Sequence, residues 1–352
     1  MRKRIFTICL CFLLLLTGCG SKKYKEKIET TEKVATTEEG TAGVDTEGKD
    51  VSEEDEWNVP INYTWNPHVY GDIFKELYGE EGEEGEEELY GLIDAVLARE
   101  ETYYFDVNNS QLMWDIGLLA QQVFPLFSIL VSDYNFDTGV VYLEYRYDME
   151  QHEEIIKNFK DRIEDIICSS VMETDNQTMA ALAIYHFFSS RIEYDYEAME
   201  EFGADVTPYR ALMEYEGICQ SFAGAYTYLL LQCGIPAVTV SGYNGDAAHE
   251  CTLVKLNGNY YHVDPTYEEG YGGEGLLFFG MTNDRREFYE YPVDSFNVMN
   301  IWWGSDIQAN DETFANLWNI NEIDTIVRDE SGMTIHGVNY ENGQSVNVLI
   351  PY

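Results

Sequence analysis

Basic residues are scarce. Only 21 Lys and Arg stand against 64 Asp and Glu, a net charge of −43. A chain so poor in cations lacks the clustered Lys and Arg that phosphate contacts need, which argues against nucleic acid as a partner. The same shortage argues against adhesion to anionic lipid headgroups through charge. Cysteine is sparse too: seven in 352 residues are too few for a disulfide-stapled scaffold. None forms a Cys-x-x-Cys pair, so zinc is disfavoured and no cofactor is expected. The Gly-rich run at 270–275 lacks the Lys-Ser/Thr of a phosphate loop and is expected to be a mobile loop flanking a cleft. Aromatics are abundant instead. With 27 Tyr, 17 Phe, 6 Trp and 45% hydrophobic residues, the chain cannot be wholly disordered and can bury a sizeable core. Its length suggests about two domains.

Arg2, Lys3 and Arg4 precede an apolar run at residues 5–16, too short for a confident membrane span and of the size of a signal-peptide core. The run ends in Leu16-Thr17-Gly18-Cys19, which resembles the lipobox of bacterial lipoproteins. That resemblance implies that residues 1–18 are a signal peptide and that Cys19 is lipidated. The protein would then be held on the extracytoplasmic face of the cell membrane by acyl chains. Residues 19–59 are polar and acidic and read as a flexible tether. The acidic block at 79–88 lacks the alternating ligands of a calcium loop and reads as a solvated loop leading into a helix.

Residues 60–168 alternate between helical and extended patterns, and no cluster there suggests chemistry. Helices are expected at 72–78, 86–99, 111–123 and 149–168, and strands at 102–107 and 140–147. Asp175 is a plausible N-cap for a helix carrying Met179, Leu182, Ala183, His186 and Phe187. His186, in that apolar setting, reads as a hydrogen-bonded core histidine. Residues 314–352 alternate as strands and read as a closing sheet or small appended domain. Trp302 and Trp303 suit a substrate groove or a core equally.

The chemistry is concentrated between Gly217 and Asp264. Gly217-Ile218-Cys219 opens a helix that runs to Cys233 and stops at Gly234, with Pro236 just beyond. Cys219 therefore sits in the first turn, where the positive end of the helix favours thiolate over thiol. A strand is expected at 236–242 and a turn at Asn244-Gly245-Asp246. Two further strands, 249–256 and 259–266, are joined by Asn257-Gly258, a strong hairpin signal. A two-residue turn pairs Leu256 with Asn259 and so Cys251 with Asp264. His249, Cys251 and Asp264 then share one face, with His249 and Asp264 as diagonal neighbours. A carboxylate on one imidazole nitrogen leaves the other to meet a thiol.

This order of a helix opened by Gly-x-Cys, a strand begun by His, and Tyr260-x-x-x-Asp264-x-Thr266 resembles the transglutaminase-like superfamily. The resemblance covers about residues 178–289 and implies an α+β, papain-like core. Carried over by position, Cys219 is the nucleophile, His249 the general base and acid, and Asp264 the orienting carboxylate. Where that family continues its His with Ala-Trp-Asn, this chain has Glu250-Cys251-Thr252. A negative Glu250 beside the histidine would favour imidazolium. Cys251 is either a small filler or a thiol able to form an inhibitory disulfide with Cys219. Cys233 reads as core and His262 as a packing residue.

The expected organisation is a signal peptide (1–18), tether (19–59), N-terminal mixed region (60–168), transglutaminase-like core (169–290) and C-terminal β-rich segment (291–352). The expected activity is acyl transfer on amide bonds of a protein or peptide, cell-wall peptide included, with hydrolysis favoured. A surface binding or scaffold module without turnover is the alternative.

Overall fold

The computed structural model describes residues 63–69, 80–105, 110–200, 203–244, 247–288, 297–298, 301–302 and 308–352. The signal segment, Cys19 with the tether, the expected helix at 72–78, Gly245, Asp246 and Trp303 lie outside them, as does the Trp302 side chain.

From Glu80 onward, the acidic block is helix and not loop. It forms the first turns of α1 (Glu80–Leu97), which buries Leu89, Leu92, Ile93 and Val96 at helical spacing. Glutamate is a good helix former and is favoured near a helix N-terminus, which offsets its mutual repulsion there. Helix α2 (Ser110–Val123) packs beside α1. Strands β1 (Thr102–Tyr104), β2 (Val131–Asn135) and β3 (Val140–Glu144) form an antiparallel sheet in the order β1-β3-β2. Both expected strands are shorter than their patterns implied, and β2, half polar, gave no clear alternation.

Helix α3 (Met149–Ser170) starts at a reciprocal cap: Asp148 Oδ1 accepts from Gln151 N at 2.9 Å, and Gln151 Oε1 accepts from Asp148 N at 3.0 Å. Helix α4 (Gln177–Ser189) is capped by Asn176, whose Oδ1 accepts from Met179 N at 3.0 Å. Asp175 is therefore not the cap. It is buried and accepts two hydrogen bonds from Arg328, a stronger use of a charged carboxylate. A short parallel pair, β4 (Glu193–Tyr194) with β5 (Glu216–Gly217), brackets α5 (Tyr196–Glu200) and α6 (Pro208–Glu214).

Helix α7 (Cys219–Gln232) is the central rod, apolar all round and buried almost throughout. It stops at Gly234, where φ is 69°. Against it lies a five-stranded antiparallel sheet in the order β10-β9-β6-β7-β8, formed by β6 (Ala237–Asn244), β7 (Ala247–Leu256), β8 (Asn259–Val263), β9 (Asn297–Val298) and β10 (Ile301–Trp302). Asn257 and Gly258 both have positive φ, 51° and 80°, as a two-residue hairpin turn requires. Leu256 pairs with Asn259 and Thr252 with Val263, the register expected from the sequence. Strand β8 ends earlier than expected because Pro265 has no N–H for the ladder. It suits instead the first turn of α8 (Pro265–Gly270). A further short helix, α9 (Asn283–Phe288), follows.

Three antiparallel strands, β11 (Glu322–Asp329), β12 (Gly332–Asn339) and β13 (Gln344–Pro351), close the chain. Helices and sheets thus make an α+β fold. One continuous apolar core includes Leu92, Phe159, Phe222, Leu253 and Ile335. Among the described residues, no helix is long and apolar enough to cross a membrane.

Candidate active site

Hairpin register brings His249 and Asp264 together. His249 Nε2 lies 2.7 Å from Asp264 Oδ2, and both side chains are buried. Asp264 also takes hydrogen bonds from Tyr267 N on Oδ1 at 3.1 Å and from Arg286 Nη1 on Oδ2 at 2.8 Å. It therefore serves as helix cap and imidazole partner at once. Burial alone would raise its pKa, but His249, Arg286 and the Tyr267 amide outweigh this and hold the carboxyl below its ordinary value. An ionised Asp264 can only accept, so the proton between the pair sits on His249 Nε2, and in the neutral imidazole Nδ1 is the acceptor. The Tyr267 ring stacks on the imidazole with centroids 4.6 Å apart and planes at 17°.

Cys219 is the first residue of α7 and is 8% exposed. The preceding Ile218 has no polar side chain to cap the first-turn amides. Its own N–H instead donates to Ser221 Oγ at 3.1 Å. Gly217 is required there, since a Cβ would come within 2.6 Å of Ser221 Oγ. Thr252 ties α7 to β7: its Oγ1 donates to Ala223 O at 3.1 Å and lies 3.0 Å from Thr227 Oγ1. Asp264 and His249 are thus joined directly. The thiol stands at the end of the tied helix, without a side-chain hydrogen bond among the described residues.

The remaining cysteines and histidines fall into place as packing. Cys233 is buried, which pushes its thiol up to about 12. Cys251 is also buried, its pKa raised by desolvation to about 11, and its Sγ lies 3.9 Å from His262 Nδ1. Neither is in a disulfide, nor is Cys219, so no Cys219–Cys251 disulfide is present. His262 bonds Asn283 Oδ1 through Nε2 at 3.2 Å. Burial, with Arg286 nearby, lowers its pKa to about 3. His186 departs from expectation: it is half-buried, and its Nδ1 has no hydrogen-bond partner among the described residues. The Gly-rich run is packed down, with Gly273 O accepting from Ser189 Oγ at 3.1 Å. Glu250 lies on the other face of β7 from His249, near Ser241 Oγ at 3.3 Å. Protein atoms enclose its carboxyl although part of the residue reaches solvent, and desolvation raises its pKa to about 7. Glu250 is thus only partly ionised near neutrality, a weaker pull on His249 than a full carboxylate. Among the described residues, no group of three or more His, Cys, Asp or Glu is arranged to hold a metal ion.

Arg286 and Tyr267 were not anticipated. The one sequence signal for the former is the Arg285-Arg286 pair in a chain with so few cations.

The helix that opens with Cys219 and the hairpin that carries the His249–Asp264 pair lie in one segment of known kind. Residues 167–265 match the family model of the transglutaminase-like superfamily, and the chain carries a transglutaminase-like domain there. No curated protein matches the chain significantly. Among solved structures, it is similar to a TGase at 17% identity and TM-score 0.29, over 39% of this chain and 43% of the other. It is similar to a structure described as a candidate cysteine protease from Cytophaga hutchinsonii at 20% identity and TM-score 0.26, over 34% and 43%. A third is the periplasmic domain of TgpA from Pseudomonas aeruginosa bound to ethylmercury, at 18% identity and TM-score 0.24, over 36% and 55%. The chain spans roughly half the length of these solved chains.

Proposed function

We propose that this protein is a thiol enzyme performing acyl transfer on amide bonds of a protein or peptide, wall peptides included, with Cys219, His249 and Asp264 as its reacting groups. The chief support is the buried 2.7 Å contact of His249 Nε2 with Asp264, which leaves Nδ1 as the acceptor. Cys219 Sγ attacks the amide carbonyl carbon while its proton passes to His249 Nδ1. The C–N bond then breaks, the leaving amine takes that proton, and a thioester remains on Cys219. Water attacks the thioester, gives a proton to His249, and releases the carboxylic acid as the thiol re-forms. The Cys219 N–H, uncapped by Ile218, is one donor to the oxyanion. Water is the commoner acceptor outside the cell, so hydrolysis is favoured over crosslinking. Acyl chains on Cys19 would hold the enzyme at the extracytoplasmic face of the membrane.

A second reading, a binding module without turnover, is favoured by Glu250 and Cys251 standing where the resembled family has Ala and Trp after its His. Incubation with a pool of peptide amides and a primary amine, read by mass spectrometry, separates the two. New carboxylates or amine adducts that vanish in Cys219→Ser are expected. No product with the wild type, beside unaltered peptide binding, would establish the module.

A further inference from the structure

Arg286 is fully buried, and its Nη1 donates to Asp264 Oδ2, the same oxygen that His249 Nε2 reaches. Its guanidinium carbon lies 5.1 Å from the centre of the Tyr267 ring, the ring that stacks on His249. A carboxylate serving a histidine alone would place its whole charge on that imidazole and draw it toward imidazolium. Here a permanent cation shares the oxygen. We propose that Arg286 is a positioning residue that lowers the proton affinity of His249 by sharing Asp264 Oδ2, so that the imidazole waits as a neutral base. The inference rests on the function proposed above and names how its base is tuned. The two donors on one oxygen and the Tyr267 amide on the other also fix the plane of the carboxylate.

Among the described residues, the other groups around the pair do not supply this tuning. On β7 and β8, Cys251 stays protonated and His262 neutral across the physiological range. From α8, Tyr267 presents its ring face, and Glu268 is turned away to Tyr185 of α4 and the Phe278 amide. Glu250 faces the opposite side of β7, and Cys219 is the first residue of α7. Arg286 on α9 is the cation bonded to Asp264 among the described residues.

Histidine-labelled full-length protein tests this by NMR. The His249 ring is followed against pH in wild type, Arg286→Gln, Arg286→Met and Arg286→Lys. Removing the cation should move the His249 midpoint up by about one to two pH units, whereas Lys should hold it within about half a unit. The alkaline limb of Cys219 alkylation by iodoacetamide should move by the same amount. A purely structural role would lower Tm without moving the midpoint. An unmoved or lower midpoint in folded Gln or Met variants overturns the proposal. The wild type gives a reading that needs no variant: rotation about the Arg286 Cζ–Nη bonds should be hindered, as in a carboxylate-bound guanidinium. Free rotation would overturn the proposal. Because His249 is observed directly, an unreactive Cys219 would count against the enzyme reading alone and leave the midpoint to decide on Arg286.

Discussion

Asp264 shows how much one residue can be asked to do. It accepts from His249, Arg286 and Tyr267 while buried, and only the first of these partners was legible in the sequence. Strand parity places His249 and Asp264 on one face because the turn between them has two residues. Nothing comparable links Asp264 to Arg286, 22 positions on, since that contact depends on how α9 folds back across β8. Next along α8, Glu268 is buried and accepts from Tyr185 Oη at 2.8 Å and Phe278 N at 3.1 Å. Desolvation raises its pKa from 4.5 to about 7. The native state therefore keeps a proton that the unfolded chain releases, and stability falls as pH rises between those values. Glu268→Gln retains both acceptor contacts and removes the titration. Its stability relative to wild type should rise between pH 4.5 and 7 by on the order of 3 kcal/mol, then level off. Urea denaturation across that range checks it; a constant difference would mean that Glu268 is ionised throughout.

At the scale of elements, α7 and the β7–β8 hairpin carry the site, and both were readable from punctuation alone. Gly234 and Pro236 mark the end of the helix, and Asn257-Gly258 marks the turn. What could not be read was where packing overrides local pattern. The acidic block entered α1, and Asp175 gave up its cap to Asn176 because Arg328 claimed it. Thr252 holds α7 against β7 through a buried hydroxyl, so Thr252→Val should cost about 1–3 kcal/mol by leaving polar partners unsatisfied. Thermal denaturation tests that cost. The start of α7 is equally constrained at Gly217. Gly217→Ala would drive its methyl into Ser221 and displace Cys219, so alkylation of Cys219 should change while that of Cys233 does not. Equal labelling rates in variant and wild type would show that the helix start tolerates the methyl.

The last sheet adds a few long-range polar ties to the shared apolar core. Arg328 on β11 donates to both oxygens of Asp175, at 2.6 and 2.8 Å, and to Ser170 O at 3.2 Å, while Asn176 Nδ2 donates to Pro351 O at 2.9 Å. The closing sheet is thereby fastened to the junction of α3 and α4. Arg328→Ala leaves the buried Asp175 carboxylate without its cation and should cost about 3–5 kcal/mol. Hydrogen exchange should show the loss first in β11–β13. Uniform destabilisation would mean that the sheet is not a separable unit. At the other end, the lipid anchor proposed for Cys19 is tested by Cys19→Ser, which should release the protein from membrane pellets.

In the proposed enzyme, the imidazole of His249 activates the thiol of Cys219. The most direct measurement of that activation is the rate of Cys219 alkylation near pH 6.5 in wild type and His249→Ala, with exposed Cys168 as internal standard. Reaction at Cys219 should be at least about tenfold slower in the variant, with Cys168 unchanged. Equal rates at Cys219 in the two proteins would contradict it.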